Sequence, residues 1–134
     1  MANYYGYARS NYFKVKDVDK FREFVSKLPG AEFIEDSAGR VGFLGDMECG
    51  LPSFTWDEES QEETEIDLEQ EIATHLAEGE VAILMEAGHE KLRYVTGFAS
   101  AVNWKGETAS VSINDIYRMA QEELGGENVT QAEY

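Results

Sequence analysis

The sequence predicts a soluble, single-domain α+β protein: a mostly antiparallel sheet of about five to six strands with three helices, in the order β-α-β-β-α-β-β-β-α. Three observations carry that reading. Apolar residues alternate with a period of two in several short runs. They recur at helical spacing in three others. Turn residues separate neighbouring strand candidates so closely that hairpins must join them, with helices packed chiefly on one face of the sheet. At 134 residues the chain suits one domain, long enough to bury a core without a disulfide or metal staple. We assign residues 1–126 to that domain and 127–134 to a flexible C-terminal tail.

The first strand is expected at Ser10–Lys16, where Phe13 and Val15 face one way and Tyr12, Lys14 and Lys16 the other. Asp17 is a helix N-cap by type. After it Val18, Phe21, Phe24, Val25 and Leu28 form an amphipathic stripe that Pro29-Gly30 ends. Ala31–Asp36 and Arg40–Gly45 read as a hairpin about Ser37-Ala38-Gly39. Residues 46–56 read as a loop. A second helix is expected from Thr64, where Thr64-x-x-Asp67 resembles a capping box, or from Ser60; Leu68, Ile72 and Leu76 supply its stripe and Gly79 its stop. Glu80–Ala87, Lys91–Trp104 and Glu107–Ile113 form a meander turning at Gly88-His89-Glu90 and Lys105-Gly106, with Gly97 marking a bulge or bend. Asn114 or Ser112 caps a last helix with Ile116, Tyr117, Ala120 and Leu124 on one side, closed by Gly125-Gly126.

Charge is the dominant feature. The net value is −16, and it is segregated along the chain. Residues 1–31 sum to +3, residues 32–90 to −17 and residues 91–134 to −2, so the middle segment holds the whole excess. Salt adaptation would spread acid evenly, whereas Lys14, Lys16, Lys20 and Lys27 crowd the other end. Self-repulsion of this size costs stability and keeps the chain soluble. The single cysteine, Cys49, permits no internal disulfide and fits a reducing, cytoplasmic setting. The N-terminus lacks a signal-peptide profile, and no apolar run nears the ~18–20 residues of a membrane helix.

Catalytic signatures are missing. His75 reads as a boundary residue of the second helix and His89 as a solvated turn residue. Cys49 has no discernible base beside it. No phosphate loop, nucleophile elbow, zinc or calcium pattern occurs. The expectation is a non-enzyme with no catalytic residues, no metal and no cofactor.

The acidic tract is the best functional lead. Asp57, Glu58, Glu59, Glu62, Glu63, Glu65, Asp67, Glu69 and Glu71 fall within fifteen residues. As a helix that stretch would span ~22 Å at ~1.5 Å per residue, a length over which duplex DNA carries about 13 phosphate charges. Glu32, Glu35, Asp36, Asp46 and Glu48 would supplement it. Carboxylates so arranged suit the Lys/Arg channel of a nucleic-acid-binding protein, with fast, salt-sensitive association. A long block of like charge also reads as a loop over 57–63, or as a solvated face that only aids solubility. A lesser lead is the N-terminal mixture of Tyr4, Tyr5, Tyr7, Arg9, Tyr12, Phe13, Lys14 and Lys16, a composition used to stack single-stranded bases. Packing on the sheet is favoured there, because the overall field repels phosphate.

The run Val95–Leu124, from Val-Thr-Gly-Phe-Ala-Ser-Ala-Val-Asn-Trp-Lys-Gly-Glu to Ile-Asn-Asp-Ile-Tyr-Arg-Met-Ala-Gln-Glu-Glu-Leu, resembles the C-terminal part of small bacterial and mobile-element proteins. In size and acidity the chain is also similar to phage- and plasmid-borne anti-defence proteins, including anti-CRISPR and anti-restriction DNA mimics. That second likeness is one of physical character, without a shared motif. It implies an inhibitor that blocks a basic nucleic-acid-binding protein or defence complex, itself binding neither nucleic acid nor membrane. The alternative is a housekeeping protein-interaction module whose acid serves solubility.

Overall fold

In a computed structural model, which describes residues 4–46 and 51–132, the α+β class and the order of elements are as the sequence predicts, with a two-stranded ribbon added before the second helix where a loop and the start of that helix were expected. The first strand, however, is β1 (Tyr5–Ser10), ahead of the expected Ser10–Lys16. Its inward residues are Gly6, Ala8 and Ser10, too small or polar to register as an apolar alternation. Gly6 has to be small: a Cβ there would come within 2.6 Å of the Tyr4 hydroxyl. Residues 11–16 are extended but make only isolated bridges, Phe13 to Val41 and Val15 to Leu76. Phe13 is buried, as its alternation with Lys14 suggests.

Helix α1 (Val18–Ser26) starts at Asp17, whose side chain accepts a hydrogen bond from the Lys20 amide at 3.2 Å. Strands β2 (Ala31–Glu35) and β3 (Val41–Asp46) form the expected hairpin. Its turn is stitched by Asp36, which accepts from the amides of Ala38 and Arg40 and from the Arg40 guanidinium. A short separate ribbon follows, β4 (Phe54–Asp57) with β5 (Glu62–Glu65). Helix α2 (Leu68–His75) begins after it, with Asp67 rather than Thr64 or Ser60 as N-cap. The meander is β6 (Val81–Glu90), β7 (Tyr94–Asn103) and β8 (Thr108–Ser112).

Two details of the meander differ from expectation. The first turn lies at Lys91–Arg93, so Gly88, His89 and Glu90 belong to β6. Gly97 pairs in register with Ala87 and makes no bulge. The second turn falls at Lys105-Gly106 as predicted, with the Asn103 side chain accepting from the amides of Lys105 and Glu107. Helix α3 (Asp115–Leu124) closes at Gly125, which takes the left-handed conformation (φ 72°) that glycine adopts without strain. Residues 127–132 form no helix or strand.

The main sheet runs β2-β3-β1-β6-β7-β8, antiparallel throughout. Helices α1 and α2 cover one face. Phe21, Val25 and Leu28 of α1 and Leu68, Ile72 and Leu76 of α2 meet Phe43, Ala8, Leu84 and Val102 of the sheet. We call this the inner face. The outer face carries Tyr5, Tyr7 and Arg9 of β1, then Ile83, Met85 and Ala87 of β6, set beside Ala99 and Gly97 of β7 and Val111 of β8. Helix α3 borders that outer face, and none of its residues is buried. No helix among the described residues is long and apolar enough to cross a membrane.

Candidate acidic docking surface

The acidic tract is not a helix. Residues 57–65 are the tip and second strand of the β4–β5 ribbon, and only Leu68 onward is helical. The reason is local pairing: Phe54 and Trp56 stand opposite Glu65 and Glu63, and Ile66 packs against the core. The Trp56 amide donates to the Lys27 carbonyl at 2.8 Å, and the Ile66 amide to the Ser53 carbonyl at 2.8 Å. The first bond ties the ribbon to the end of α1, and the second closes its base. A row of carboxylates ~22 Å long on one helix is therefore replaced by a short two-sided ribbon.

The nine predicted residues divide by role. Asp67 caps α2, accepting from the Gln70 amide. Asp57 accepts from the Glu59 amide at 3.0 Å and shapes the turn. Glu69 accepts from the buried Ser100 hydroxyl at 3.1 Å, and Glu71 is half-buried. Glu58, Glu59, Glu62, Glu63 and Glu65 are all exposed. No Lys or Arg among the described residues lies within ion-pair distance of any of the nine. Asp57 and Glu62 stand directly opposite each other across the ribbon, an arrangement of like charges that destabilises a strand pair.

The supplementary carboxylates do not join this surface as one patch. Glu32 lies on the outer face of the sheet beside Leu44. Glu35 is 3.9 Å from Arg22, and Asp36 is held by Arg40. Glu48 and Cys49 lie outside the described residues. The N-terminal aromatics are also dispersed: Phe13 is in the core, Tyr4 covers Gly6 and Gly88, and Tyr5 and Tyr7 stand on the outer face. Arg9 shares that face with Tyr5 and Tyr7, and its guanidinium lies 6.0 Å from the Tyr12 ring.

His75 is half-buried at the end of α2, its ring stacked on Phe24 (centroids 5.1 Å apart) and edge-on to Phe21 (5.5 Å). Burial lowers its pKa below the ordinary value, aided by Lys16 and Lys20 and opposed by Glu71 and Asp17. His89 is a strand residue, 6.2 Å from the Tyr5 ring. Among the described residues no three His, Cys, Asp or Glu side chains converge as metal ligands would.

One feature escaped the sequence reading. The outer face holds an open trough of about 1260 Å³, lined among others by Leu44, Met85, Ala99, Val111, Ile116 and Met119. Its signal was available in Val81-Ala82-Ile83-Leu84-Met85, an unbroken apolar run that marks a strand with two apolar faces.

No protein-family model matches the chain, and no similar curated protein or solved structure was found.

Proposed function

We propose that this protein is a non-catalytic acidic binder that occupies the cationic surface of a nucleic-acid-binding protein, such as a defence complex, through its β4–β5 ribbon. The observation that supports this most directly is the Asp57–Glu62 juxtaposition. Folding gains nothing from two like charges directly opposed with no cation beside them. Solubility alone would be served as well by carboxylates set apart. Five exposed glutamates on a tied-down ribbon form a small, pre-organised polyanion, which limits the ordering entropy on docking. The ribbon also carries Trp56, 42% exposed, which gives a partner an aromatic anchor within the acid. The reading shares size and acidity with anti-defence proteins and does not depend on a DNA-like charge spacing.

The test is competition. The purified protein should displace duplex DNA from its partner, recovered from bacterial lysate with nuclease present, and the effect should fade between ~0.1 and ~0.5 M salt as screening shortens. The variant Glu59→Lys/Glu62→Lys/Glu63→Lys should abolish displacement while keeping its circular dichroism. Glu69 is left intact, because Ser100 hydrogen-bonds to it. Unchanged affinity in that variant would refute the reading. A larger loss on Trp56→Ala than on charge reversal would favour the housekeeping interaction module, with acid as a solubility device.

A further inference from the structure

We infer that β8 is the interface of a weak two-fold homodimer, in which the bare edges of two copies pair as antiparallel strands and join their sheets. The inference is independent of the ribbon's role.

The main sheet has two edges, β2 and β8, and they differ in kind. Edge β2 carries Glu32 and Glu35, with Arg22 packed over Phe33 and 3.9 Å from Glu35. Charge of this sort discourages a sheet from pairing with another chain. Edge β8 reads Thr-Ala-Ser-Val-Ser, with no charge and no proline, in a chain at −16. Thr108, Ala109, Ser110 and Val111 are all exposed, so no other described element covers them.

The ladder to β7 shows which backbone groups are left over. The Ile113 amide donates to the Gly97 carbonyl and the Asn103 amide to the Glu107 carbonyl, so the odd-numbered residues of β8 face β7. Thr108, Ser110 and Ser112 therefore turn their backbone groups outward. The Ser112 amide is already taken by the Asp115 carboxylate at 3.0 Å. At the other end Gly106 is engaged, its amide with Asn103 and its carbonyl with Gln70. Thr108 and Ser110 remain, their outward groups without a partner among the described residues.

That remainder is self-complementary, which points to a second copy as the occupant. When two β8 strands run antiparallel about a two-fold axis beside Ala109, Thr108 of each lies opposite Ser110 of the other. All of these amides and carbonyls are then satisfied. Moving the axis to Ser110 calls on the Ser112 amide that Asp115 holds. Moving it to Thr108 calls on Gly106, which is engaged as well. One register is left, and in it the small Ala109 side chains meet across the axis as a close, non-hydrogen-bonded pair. Charge agrees with it. Residue 105 falls opposite residue 113 of the partner, which brings Lys105 up to the partner's Asp115 in the first turn of α3. Lys105 has no ion pair among the described residues. Glu107 falls opposite the partner's Val111, away from any like charge on the facing strand. So short a contact lies at the small end of interface sizes, which fits a weak dimer.

Sedimentation velocity over ~10–500 μM should show growth with concentration from the 15.1 kDa chain toward twice that mass. Over the same range hydrogen exchange should slow about fivefold or more at the Thr108 and Ser110 amides, while those of Ala109 and Val111 stay protected by β7 throughout. Ala109→Lys sets two ammonium groups face to face, and Ser110→Pro removes an outward amide without touching the β7 ladder. Each should weaken association about tenfold or more without altering circular dichroism. In a Cys49→Ser background, Ala109→Cys should cross-link under mild oxidation, its Cβ atoms lying ~4.5–5.5 Å apart. Val111→Cys should not, because the register sets its two copies about 13 Å apart at ~3.3 Å per residue. A chain that stays monomeric at ~500 μM overturns the inference. So does a dimer indifferent to Ala109→Lys, or one in which Val111→Cys cross-links as readily as Ala109→Cys. These substitutions lie outside β4 and β5, so this inference and ribbon docking fail separately.

Discussion

Replacing Glu62 with lysine should stabilise the ribbon, a rare outcome for a substitution at a functional surface. Glu62 faces Asp57 directly, with no cation close by among the described residues. Directly opposed side chains on paired strands have Cβ atoms ~5 Å apart, and a charge separation of ~6 Å sets the scale of the repulsion. In water such a pair interacts by about 0.7 kcal/mol. Screening with a Debye length of ~8 Å cuts this to ~0.3 kcal/mol. Glu62→Lys turns repulsion into attraction, so the gain is twice that, about 0.7 kcal/mol, within the range found for cross-strand pairs. Native-state hydrogen exchange reads the effect locally: the paired amides of 54–65 should exchange about threefold more slowly at ~0.15 M salt. At ~1 M salt, where the Debye length is ~3 Å, the difference should shrink to less than about 1.5-fold. Faster exchange in the variant, or a slowing that ignores salt, would refute the view that the ribbon holds electrostatic strain. The same variant should weaken partner docking, so stability and binding would move in opposite directions.

Two further outcomes follow from the packing. The fold depresses the His75 pKa, so the unfolded chain takes up this proton first as pH falls. His75 thus contributes stability that is present above its ordinary value near 6.5 and lost as pH drops through the folded pKa; urea titrations from pH 7.5 to 5 should show this slope, and His75→Gln should flatten it. A Cβ at Gly88 would strike the Tyr4 ring and come within 2.5 Å of the Tyr5 backbone carbonyl. Gly88→Ala should therefore cost ~1–3 kcal/mol in urea unfolding, as overpacking does, and Tyr4→Ala/Gly88→Ala should fall short of the sum of the two single losses.

The fold was legible where hydrophobic period and turn chemistry agreed. Asp17, the 36–40 turn and Gly125 mark boundaries that the structure keeps, while the first helix ends at Ser26, three residues ahead of Pro29-Gly30. Misreadings arose where a residue's job lies across space. Gly88 resembles a turn glycine, yet it is small because the Tyr4 ring and the Tyr5 backbone carbonyl, more than 80 positions earlier, lie over it. Gly6, Ala8 and Ser10 carry no strand signal, yet β3 and β6 flank them and impose one. Glu62-Glu63-Thr64-Glu65 favours helix over strand by intrinsic preference. Pairing with Phe54 and Trp56 overrides it, as context overrides β-propensity generally. At the candidate site, the sequence located the acid but not its geometry. Four of the nine carboxylates turned out to be half-buried or engaged in capping, turn or Ser100 hydrogen bonds.

The charge segregation and the bare outer face have one explanation in common. A chain at −16 gains solubility from its acid but loses stability wherever two such surfaces approach. Placing Asp57, Glu58, Glu59, Glu62, Glu63 and Glu65 on a ribbon anchored to the helical layer moves those charges away from the outer face of the sheet. Strands β1, β6, β7 and β8 then present tyrosine, methionine, valine and alanine on a face whose charged lining is Arg9, Glu32, Glu86 and Asp115. Had the acid been spread evenly, any contact through the sheet would have to overcome repulsion at its own rim. Separation lets one small domain hold an electrostatic surface, which salt weakens, beside an apolar one, which salt strengthens.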